Sequence, residues 1–175
     1  MNPVIIKLSE PVYDSTLYLD KDGVLNTALY RKNKLSSPRK SSEINIKKDL
    51  HDIVKFSDKK FNLIVISNQP DLRRGLITPE FLLENLKQIN TKIPLSLAFF
   101  CPHIQDDQCD CRKPKTGLIL AYRKLYPNCC KKELFIGDQP TDAMCAQSLN
   151  IPFIKVWKPT SLLNNISNSL SVETE

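Results

Sequence analysis

Two aspartates at the end of a short apolar segment have the clearest capacity for chemistry in this sequence. Residues 16–19 are typical of a buried strand, and Asp20, Asp22 and Gly23 follow directly. Because successive side chains of a strand alternate between its faces, Asp20 and Asp22 can point the same way at its carboxyl end. Two neighbouring carboxylates repel each other unless a cation lies between them, which indicates a Mg²⁺ site. A polar turn after a strand explains this motif, taken alone, equally well.

A second set of residues with the capacity for chemistry lies in residues 101–111. It combines three cysteines with one histidine: Cys101, His103, Cys109 and Cys111. This spacing predicts a closed tetrahedral Zn²⁺ site with four protein ligands. Because no coordination position is left for a substrate, we expect the zinc to be structural and to hold a loop in place. Accidental clustering of buried thiols is the alternative interpretation.

Two basic residues, Arg112 and Lys113, follow the last of these cysteines directly. A metal bound by Cys111 would fix the direction of both side chains. An arginine held in this way can bind phosphate as a bidentate fork, and a lysine can bind it as a point charge. A solvated basic patch is the alternative, but the position beside the metal ligands favours phosphate binding.

The composition limits the class of protein. The chain has 175 residues and a net charge of +6, enough length for one domain with a proper core. The positive charge favours anionic partners without choosing among phosphorylated metabolites, nucleic acid and acidic lipid. There is neither a signal-peptide pattern nor an apolar run of about 18 residues, so we expect a cytoplasmic protein without a membrane partner. Without an export signal, the six cysteines indicate reduced thiols or a metal site.

Strands and helices alternate along the chain. The apolar segments predict five strands, at residues 16–19, 61–66, 95–100, 134–136 and 153–156. Helices are predicted between and after them, at residues 47–56, after the capping residue Thr78, and at 118–125, 143–149 and 161–170. This order indicates an α/β fold, a three-layer Rossmann-like parallel sheet with helices on both faces and no large cap domain. We expect one domain over residues 1–160 and a short helix or tail over 161–175. Residues 27–45 are expected to form a polar, basic loop, and a solvated surface is favoured over the alternative that the loop folds over an anionic substrate.

Five short motifs, taken together and in this order, resemble the haloacid dehalogenase superfamily of phosphatases. They are Leu19-Asp20-Lys21-Asp22-Gly23-Val24, Ser67-Asn68-Gln69, Cys101-Pro102-His103, Cys109-Asp110-Cys111-Arg112-Lys113-Pro114, and Gly137-Asp138 with Asp142. Within the superfamily the set is most similar to the zinc-containing group of heptose 1,7-bisphosphate phosphatases and histidinol-phosphatases. The resemblance spans the chain from about residue 17 to residue 156.

The resemblance implies a Mg²⁺-dependent phosphomonoester hydrolase. Asp20 would be the nucleophile that forms an aspartyl-phosphate, and Asp22 would be the general acid and base. Ser67 and Lys113 would hold the transferring phosphoryl oxygens. The Asp20 carboxylate, the Asp22 backbone carbonyl and the Asp138 carboxylate would hold the metal ion.

The remaining site residues implied by the resemblance contact the substrate or support the metal. Substrate contacts are expected from Asn68, Gln69, Arg112 and Gln139, while Asp142 is expected to support the metal ligands from outside. The substrate is expected to be a small phosphorylated metabolite, a heptose bisphosphate ahead of histidinol phosphate, and the enzyme a monomer. A zinc-stapled, basic nucleic-acid-binding module is the alternative from another class, and it leaves the aspartates unexplained.

Two departures from the family pattern fall at the rim of the expected site. Pro70-Asp71-Leu72 stands where the resemblance leads us to expect a small, glycine-containing turn. Gln139 stands where the heptose branch often carries a basic residue. Both positions concern substrate contacts rather than the reacting groups, so they leave the choice of substrate open.

Overall fold

A six-stranded sheet and a small hairpin contain the strands of the computed structural model, which describes residues 1–57 and 60–156. The strands are β1 (Val4–Lys7), β2 (Ser15–Leu19), β3 (Leu29–Arg31), β4 (Lys34–Ser36), β5 (Asn62–Asn68), β6 (Leu95–Cys101), β7 (Lys132–Gly137) and β8 (Phe153–Lys155). The sheet has the order β1-β6-β5-β2-β7-β8, and β3 pairs with β4. Within the sheet β1 runs antiparallel to β6, whereas the other neighbours are parallel. The predicted mostly parallel sheet is confirmed.

Helices cover both faces of this sheet. They are α1 (His51–Ser57), α2 (Pro70–Arg73), α3 (Pro79–Asn90), α4 (Gly117–Leu125) and α5 (Pro140–Gln147). Leu17 and Leu19 of β2 belong to an apolar cluster with residues of α1 and α3, whereas Tyr18 belongs to a cluster with residues of α4 and α5. Successive side chains of the central strand thus enter opposite cores, which confirms the predicted three layers.

Residues 27–45 contain a hairpin where the composition predicted a loop. β3 and β4 pair antiparallel, and the turn residues Lys32 and Asn33 both have positive φ, 48° and 60°. Two such residues form the tight turn that matches the twist of a hairpin. The prediction missed it because each strand has only three residues and carries no alternating apolar pattern.

Other predicted boundaries also shift. α1 begins at His51 rather than at residue 47, since the backbone of residues 46 and 47 pairs with Asn26 and Leu25. α5 begins at Pro140 rather than at residue 143, because proline fits the first turn of a helix. The short elements β1 and α2 were not predicted. The helix predicted at 161–170 and the domain boundary at residue 160 lie outside the described residues.

The order of the strands positions the candidate site. β2 lies between β5 and β7, so Asp20 after β2 is flanked by Ser67 at the end of β5 and by Asp138 after β7. Parallel strands end at one edge of a sheet, where α/β proteins bind ligands. Between β2 and β5 the described chain adds only the hairpin, a 3₁₀ turn (Ser41–Glu43) and α1, without a large cap domain. In residues 1–57 and 60–156 no helix has the length and apolar character needed to cross a membrane.

Candidate active site

Three aspartates from two distant parts of the chain converge at this edge, Asp20 from one and Asp138 and Asp142 from the other. A carboxylate oxygen of each of Asp20, Asp138 and Asp142 lies within 4.8 Å of the others. Nζ of Lys113 lies 2.6 Å from Oδ1 of Asp20 and 2.6 Å from Oδ1 of Asp142. It also donates a hydrogen bond to the backbone carbonyl of Ile66 at 2.7 Å. A buried ammonium group therefore joins two of the three acids to the end of β5.

Two glycines make room for these carboxylates. Gly23 has a φ of +113°, and a Cβ atom there would lie 2.3 Å from Oδ2 of Asp138. A Cβ atom on Gly137 would lie 2.5 Å from Cβ of Asp142. Such distances are far below van der Waals contact, so any other residue would push the aspartates away. The absence of a side chain at both positions is thus part of how the cluster forms.

Asp22 lies in a second polar network beside the first. Its Oδ1 accepts a hydrogen bond of 2.5 Å from Lys21 Nζ, and its Oδ2 accepts one of 2.9 Å from Gln69 Nε2. Asn26 Nδ2 lies 3.4 Å from Oδ1 and also donates to Asn85 at 2.9 Å. Burial works against the charged carboxylate, but the charge of Lys21 and hydrogen bonds from Lys21, Ser37 and Gln69 hold the pKa of Asp22 below its ordinary value. The side chain is therefore fixed in one orientation.

The electrostatics of the first cluster differ from those of Asp22. Burial raises the pKa of the Asp20 carboxyl to about 7. The positive charge of Lys113 acts in the opposite direction, and the negative charges of Asp142 and Asp138 raise the pKa further. Burial works against the charged form of Lys113, yet Asp142 and Asp20 hold its pKa above the ordinary value. The cluster thus combines a firmly charged ammonium group with carboxylates whose negative charges repel one another.

These donors fit a divalent cation such as Mg²⁺. All three groups offer carboxylate oxygens, the ligand type that Mg²⁺ prefers. Burial is the main cause of the raised pKa of Asp20, and the negative charges of Asp142 and Asp138 add to it; a bound cation would relieve both effects. The side chain of Asp22 is outside this group, and only its backbone carbonyl was expected to bind the ion.

The four residues predicted to bind zinc also come together. Sγ of Cys111 lies 3.2 Å from Sγ of Cys101, 3.6 Å from Sγ of Cys109 and 3.2 Å from Nδ1 of His103. Cys101 Sγ lies 3.7 Å from Cys109 Sγ. A tetrahedron with Zn–S bonds of about 2.3 Å has edges of about 3.8 Å, close to these distances. All six cysteines are free thiols, so none of the four is committed to a disulfide.

The cysteine cluster is connected to the carboxylate cluster through Lys113, two residues after Cys111. The side chain of Asn68, at the end of β5, forms two hydrogen bonds with the backbone of Lys113. It accepts one from the N–H at 3.0 Å and donates one to the carbonyl at 3.1 Å. Arg112 Nη1 donates to the backbone carbonyl of His103 at 3.0 Å. The loop and β5 thus fix the position of the Lys113 side chain together.

A cavity of about 530 Å³ opens above the carboxylate cluster. All four residues predicted to be catalytic line it: Asp20, Asp22, Ser67 and Lys113. A wall of the cavity is formed by Leu35, Ser36 and Ser37, which belong to residues 27–45, called the flap below. The flap is therefore part of the site, although its basic, polar composition favoured a solvated loop.

The residues predicted to contact the substrate divide into two groups. Asn68, Arg112 and Gln139 line the cavity. Gln69 is fully buried behind Asp22 and donates to it, so its side chain orients Asp22 instead of facing the cavity. The signal available in the sequence, a polar residue after a strand, does not distinguish these two positions.

Sequence reasoning missed several polar residues that shape the site. Lys21 is 1% exposed and pairs with Asp22, although a lysine inside a motif is usually taken to be solvated. Asn85 of α3 is fully buried and reaches Asn26. Its position at the apolar face of a helix was the available signal, because a buried asparagine needs a partner.

Comparison with known proteins defines the class. A family model described as polynucleotide kinase 3 phosphatase matches residues 15–154. A probable D-glycero-D-manno-heptose-1,7-bisphosphate 7-phosphatase of Thermoplasma volcanium is 30% identical over 148 residues, which cover 79% of this chain and 95% of that protein. Such matches are those of a phosphatase of the haloacid dehalogenase type. The chain belongs to the polynucleotide kinase 3 phosphatase family.

Two further relatives represent different branches. A D-glycero-beta-D-manno-heptose-1,7-bisphosphate 7-phosphatase of Helicobacter pylori is 26% identical over 149 residues, covering 79% of this chain and 80% of that protein. The histidine biosynthesis bifunctional protein HisB of Blochmanniella floridana is 29% identical over 156 residues, covering 81% of this chain. Those residues are 41% of HisB, so the chain spans about two fifths of that protein.

Solved structures share the fold. A D,D-heptose 1.7-bisphosphate phosphatase from B. bronchiseptica, complexed with magnesium and phosphate, has a TM-score of 0.67 at 22% identity and covers 91% of this chain and 99% of its own. A putative HAD-like phosphatase from Mesorhizobium loti has a TM-score of 0.75 at 14% identity and covers 97% and 91%. At these identities the likeness shows the fold, which confirms the predicted Rossmann-like class.

Proposed function

We propose that this phosphatase hydrolyses a heptose 1,7-bisphosphate with the help of Mg²⁺, through an aspartyl-phosphate on Asp20. The observation that carries the proposal is the meeting of Asp20, Asp22 and Lys113 at one cavity. A nucleophile, an acid–base group and a fixed positive charge are the parts that phosphoryl transfer through a carboxylate requires.

The reaction consists of two displacements at phosphorus. In the first, an oxygen of the Asp20 carboxylate bonds to phosphorus while the ester oxygen leaves and takes a proton from Asp22, whose charged carboxylate must first take up that proton when the ester binds. In the second, Asp22 removes a proton from water, whose oxygen attacks phosphorus and breaks its bond to Asp20. Inorganic phosphate is released and both aspartates return to their starting states. Ser67 and Lys113 stabilise the negative charge of the phosphoryl oxygens throughout.

Two metal ions have separate places in this proposal. The carboxylates of Asp20 and Asp138, with the backbone carbonyl of Asp22, would hold Mg²⁺, and Asp142 would support them through Lys113. When bound, Mg²⁺ offsets the repulsion between the Asp20 carboxylate and the phosphate. The cysteine cluster would hold a structural Zn²⁺ that keeps Arg112 and Lys113 at the cavity.

The charge of the cavity rim supports a substrate with a second anionic group. Arg74, Arg112 and Lys115 all line the cavity. A bisphosphate offers these cations a second phosphate, whereas histidinol phosphate brings a positively charged amine. The named heptose bisphosphate phosphatases among the relatives agree with this choice. Histidinol phosphate is the second candidate because of the match to HisB.

A phosphate-release screen tests the proposal. The purified chain is assayed with Mg²⁺ on D-glycero-D-manno-heptose 1,7-bisphosphate, histidinol phosphate and an oligonucleotide that carries a 3′-phosphate. We expect the highest kcat/KM for the heptose bisphosphate and loss of turnover after chelation of the divalent ion. A higher kcat/KM for histidinol phosphate or for the oligonucleotide would replace the proposed substrate by that compound.

A further inference from the structure

A bidentate ion pair joins the flap to helix α2, which follows β5. Nε of Arg39 donates to Oδ2 of Asp71 at 2.7 Å, and its Nη2 donates to Oδ1 at 3.3 Å. Asp71 is 3% exposed and itself lines the cavity. Arg74 Nη1 donates to Oδ1 of the same carboxylate at 3.0 Å. Although burial opposes it, these hydrogen bonds hold the pKa of Asp71 below its ordinary value, so the carboxylate is charged.

The flap is braced internally, so it can be held as one unit. Nη1 of Arg31 in β3 donates to Ser36 Oγ at 2.5 Å and to the carbonyl of Ser37 at 2.7 Å. Arg31 also pairs with Glu43, which accepts from the backbone N–H of Arg39 at 2.8 Å. These contacts link the hairpin, the segment after it and the 3₁₀ turn. A contact that fixes Arg39 therefore also fixes the wall formed by residues 35–37.

The contact between Arg39 and Asp71 is stronger than another hydrogen bond that joins the flap to a helix. Ser41 Oγ lies 3.4 Å from Glu84 Oε1 on the exposed surface of α3. That bond is long and solvated, whereas the pair with Asp71 is charged, bidentate and largely buried on the side of the carboxylate. Breaking the pair leaves a buried charge without one of its partners, which is the costly case.

We propose that Asp71 is a positioning residue that holds the flap against the catalytic cavity through Arg39, and that it thereby sets how well the site binds the leaving group of the substrate. The proposal rests on the proposed phosphatase function. It also accounts for the departure at Pro70-Asp71-Leu72, where a glycine-containing turn was expected. Such a turn would offer no carboxylate to Arg39, whereas the short helix presents Asp71 to the flap.

The kinetic test compares a large and a small substrate. With Asp71→Asn or Arg39→Gln, we expect KM for heptose 1,7-bisphosphate to rise about tenfold. KM for acetyl phosphate, whose leaving group is a two-carbon acid, should change by at most about twofold. The double variant should be no worse than either single variant, because both remove the same contact. Arg39→Lys keeps the charge and should restore part of the affinity.

An ion pair outside the flap provides a matched control. Arg123 of α4 holds Glu133 in a similar bidentate pair, with distances of 2.9 and 2.5 Å, and neither residue lines the cavity. Arg123→Gln should lower stability without changing the ratio of the two KM values. Equal effects of the Asp71 and Arg123 variants on that ratio would overturn the proposal.

Hydrogen exchange tests the attachment without any activity. Amides of residues 29–43 should exchange faster in Asp71→Asn and Arg39→Gln than in the wild type. They should stay protected in Arg74→Gln, which leaves the pair with Arg39 intact, and in Arg123→Gln. Unchanged exchange in the first two variants would refute the attachment. A wild-type protein that hydrolyses no ester would refute the proposed function instead, and the exchange result would still decide whether Asp71 holds the flap.

Discussion

The carboxylate cluster and the cysteine cluster are assembled in different ways. Asp20 comes from one segment and Asp138 and Asp142 from a distant second one, and the two segments meet because β7 lies beside β2 in the sheet. The cysteine cluster comes from the single segment 101–111, whose described secondary structure beyond the end of β6 is one 3₁₀ turn (Gln105–Asp107). In the first case the fold brings the carboxylates together, whereas in the second a bound metal would organise the loop. The two clusters should therefore respond differently to the loss of one ligand.

The largest loss of activity is expected from a substitution in the carboxylate cluster. Asp20→Asn should lower kcat by a factor on the order of 10³ or more, because the amide is a poor nucleophile and a poor metal ligand. Its nearly equal size should leave the cooperative unfolding transition and the zinc content in place. Phosphate release, thermal unfolding and metal analysis measure the three quantities.

Asp14→Asn provides the control for this variant. Asp14 precedes the same strand, is exposed, and pairs with Lys131 at 3.2 Å. A surface pair of this kind contributes little, so both turnover and stability should stay close to the wild type. Turnover retained by Asp20→Asn would show that another residue is the nucleophile.

The second effect concerns the site that a metal would organise. Cys109→Ser should lose bound zinc and lower the free energy of unfolding by about 3 kcal/mol, since the loop has little other support. Activity should fall as a consequence, because Lys113 is held from this loop. Cys130→Ser is the matched control, a half-buried thiol outside the cluster, and should keep the full zinc content. If Cys109→Ser also kept it, the ligand set would be different from the one proposed.

The contrast between the clusters also explains what the sequence could predict. The cysteine cluster is local, so its spacing alone indicated all four members. The meeting of Asp20 with Asp138 required the strand order, which alternation of strands and helices suggested and the family resemblance supported. Neither signal reported which polar side chains face inward. Gln69 was therefore expected at the substrate, and the buried pair of Lys21 with Asp22 was missed.

The hairpin of the flap was not predicted from the sequence for a different reason. Its strands are short and polar, so they leave no hydrophobic period for a sequence pattern to detect. Its position depends on Arg39 and Asp71, which are distant in sequence and belong to residue types that are usually solvated. Long-range ion pairs of this kind do not follow from local propensity.

Filling the space beside the carboxylates should have a smaller effect on activity and stability than the loss of a metal ligand. Gly23→Ala should reduce kcat and destabilise the protein by about 2 kcal/mol, because its Cβ atom would collide with Asp138. Gly75→Ala is the control: Gly75 also has a positive φ, +66°, but a Cβ atom there meets nothing within 4 Å. This variant should show only backbone strain of about 1 kcal/mol and unchanged kcat. Equal losses of kcat in both variants would mean that strain, and not contact with Asp138, is the cause.

The smallest effect compares two buried aspartates with opposite electrostatics. Burial and neighbouring carboxylates raise the pKa of Asp20, whereas at Asp71 burial is outweighed by hydrogen bonds from Arg39 and Arg74, and the pKa is lowered. A lowered pKa in the folded state means that the Asp71 carboxylate stabilises the protein above its unfolded pKa of about 3.9. That contribution disappears as the pH falls through the folded pKa.

Unfolding of the wild type and of Asp71→Asn in urea at a series of pH values measures this contribution. The difference in unfolding free energy should be about 1 kcal/mol and constant from about pH 5 to pH 8, then shrink below about pH 4. Asp14→Asn, which removes an exposed carboxylate, should give a smaller difference across the same range. A difference for Asp71→Asn that grows toward acid pH would mean that the carboxylate is destabilised in the folded state, as its burial alone would require.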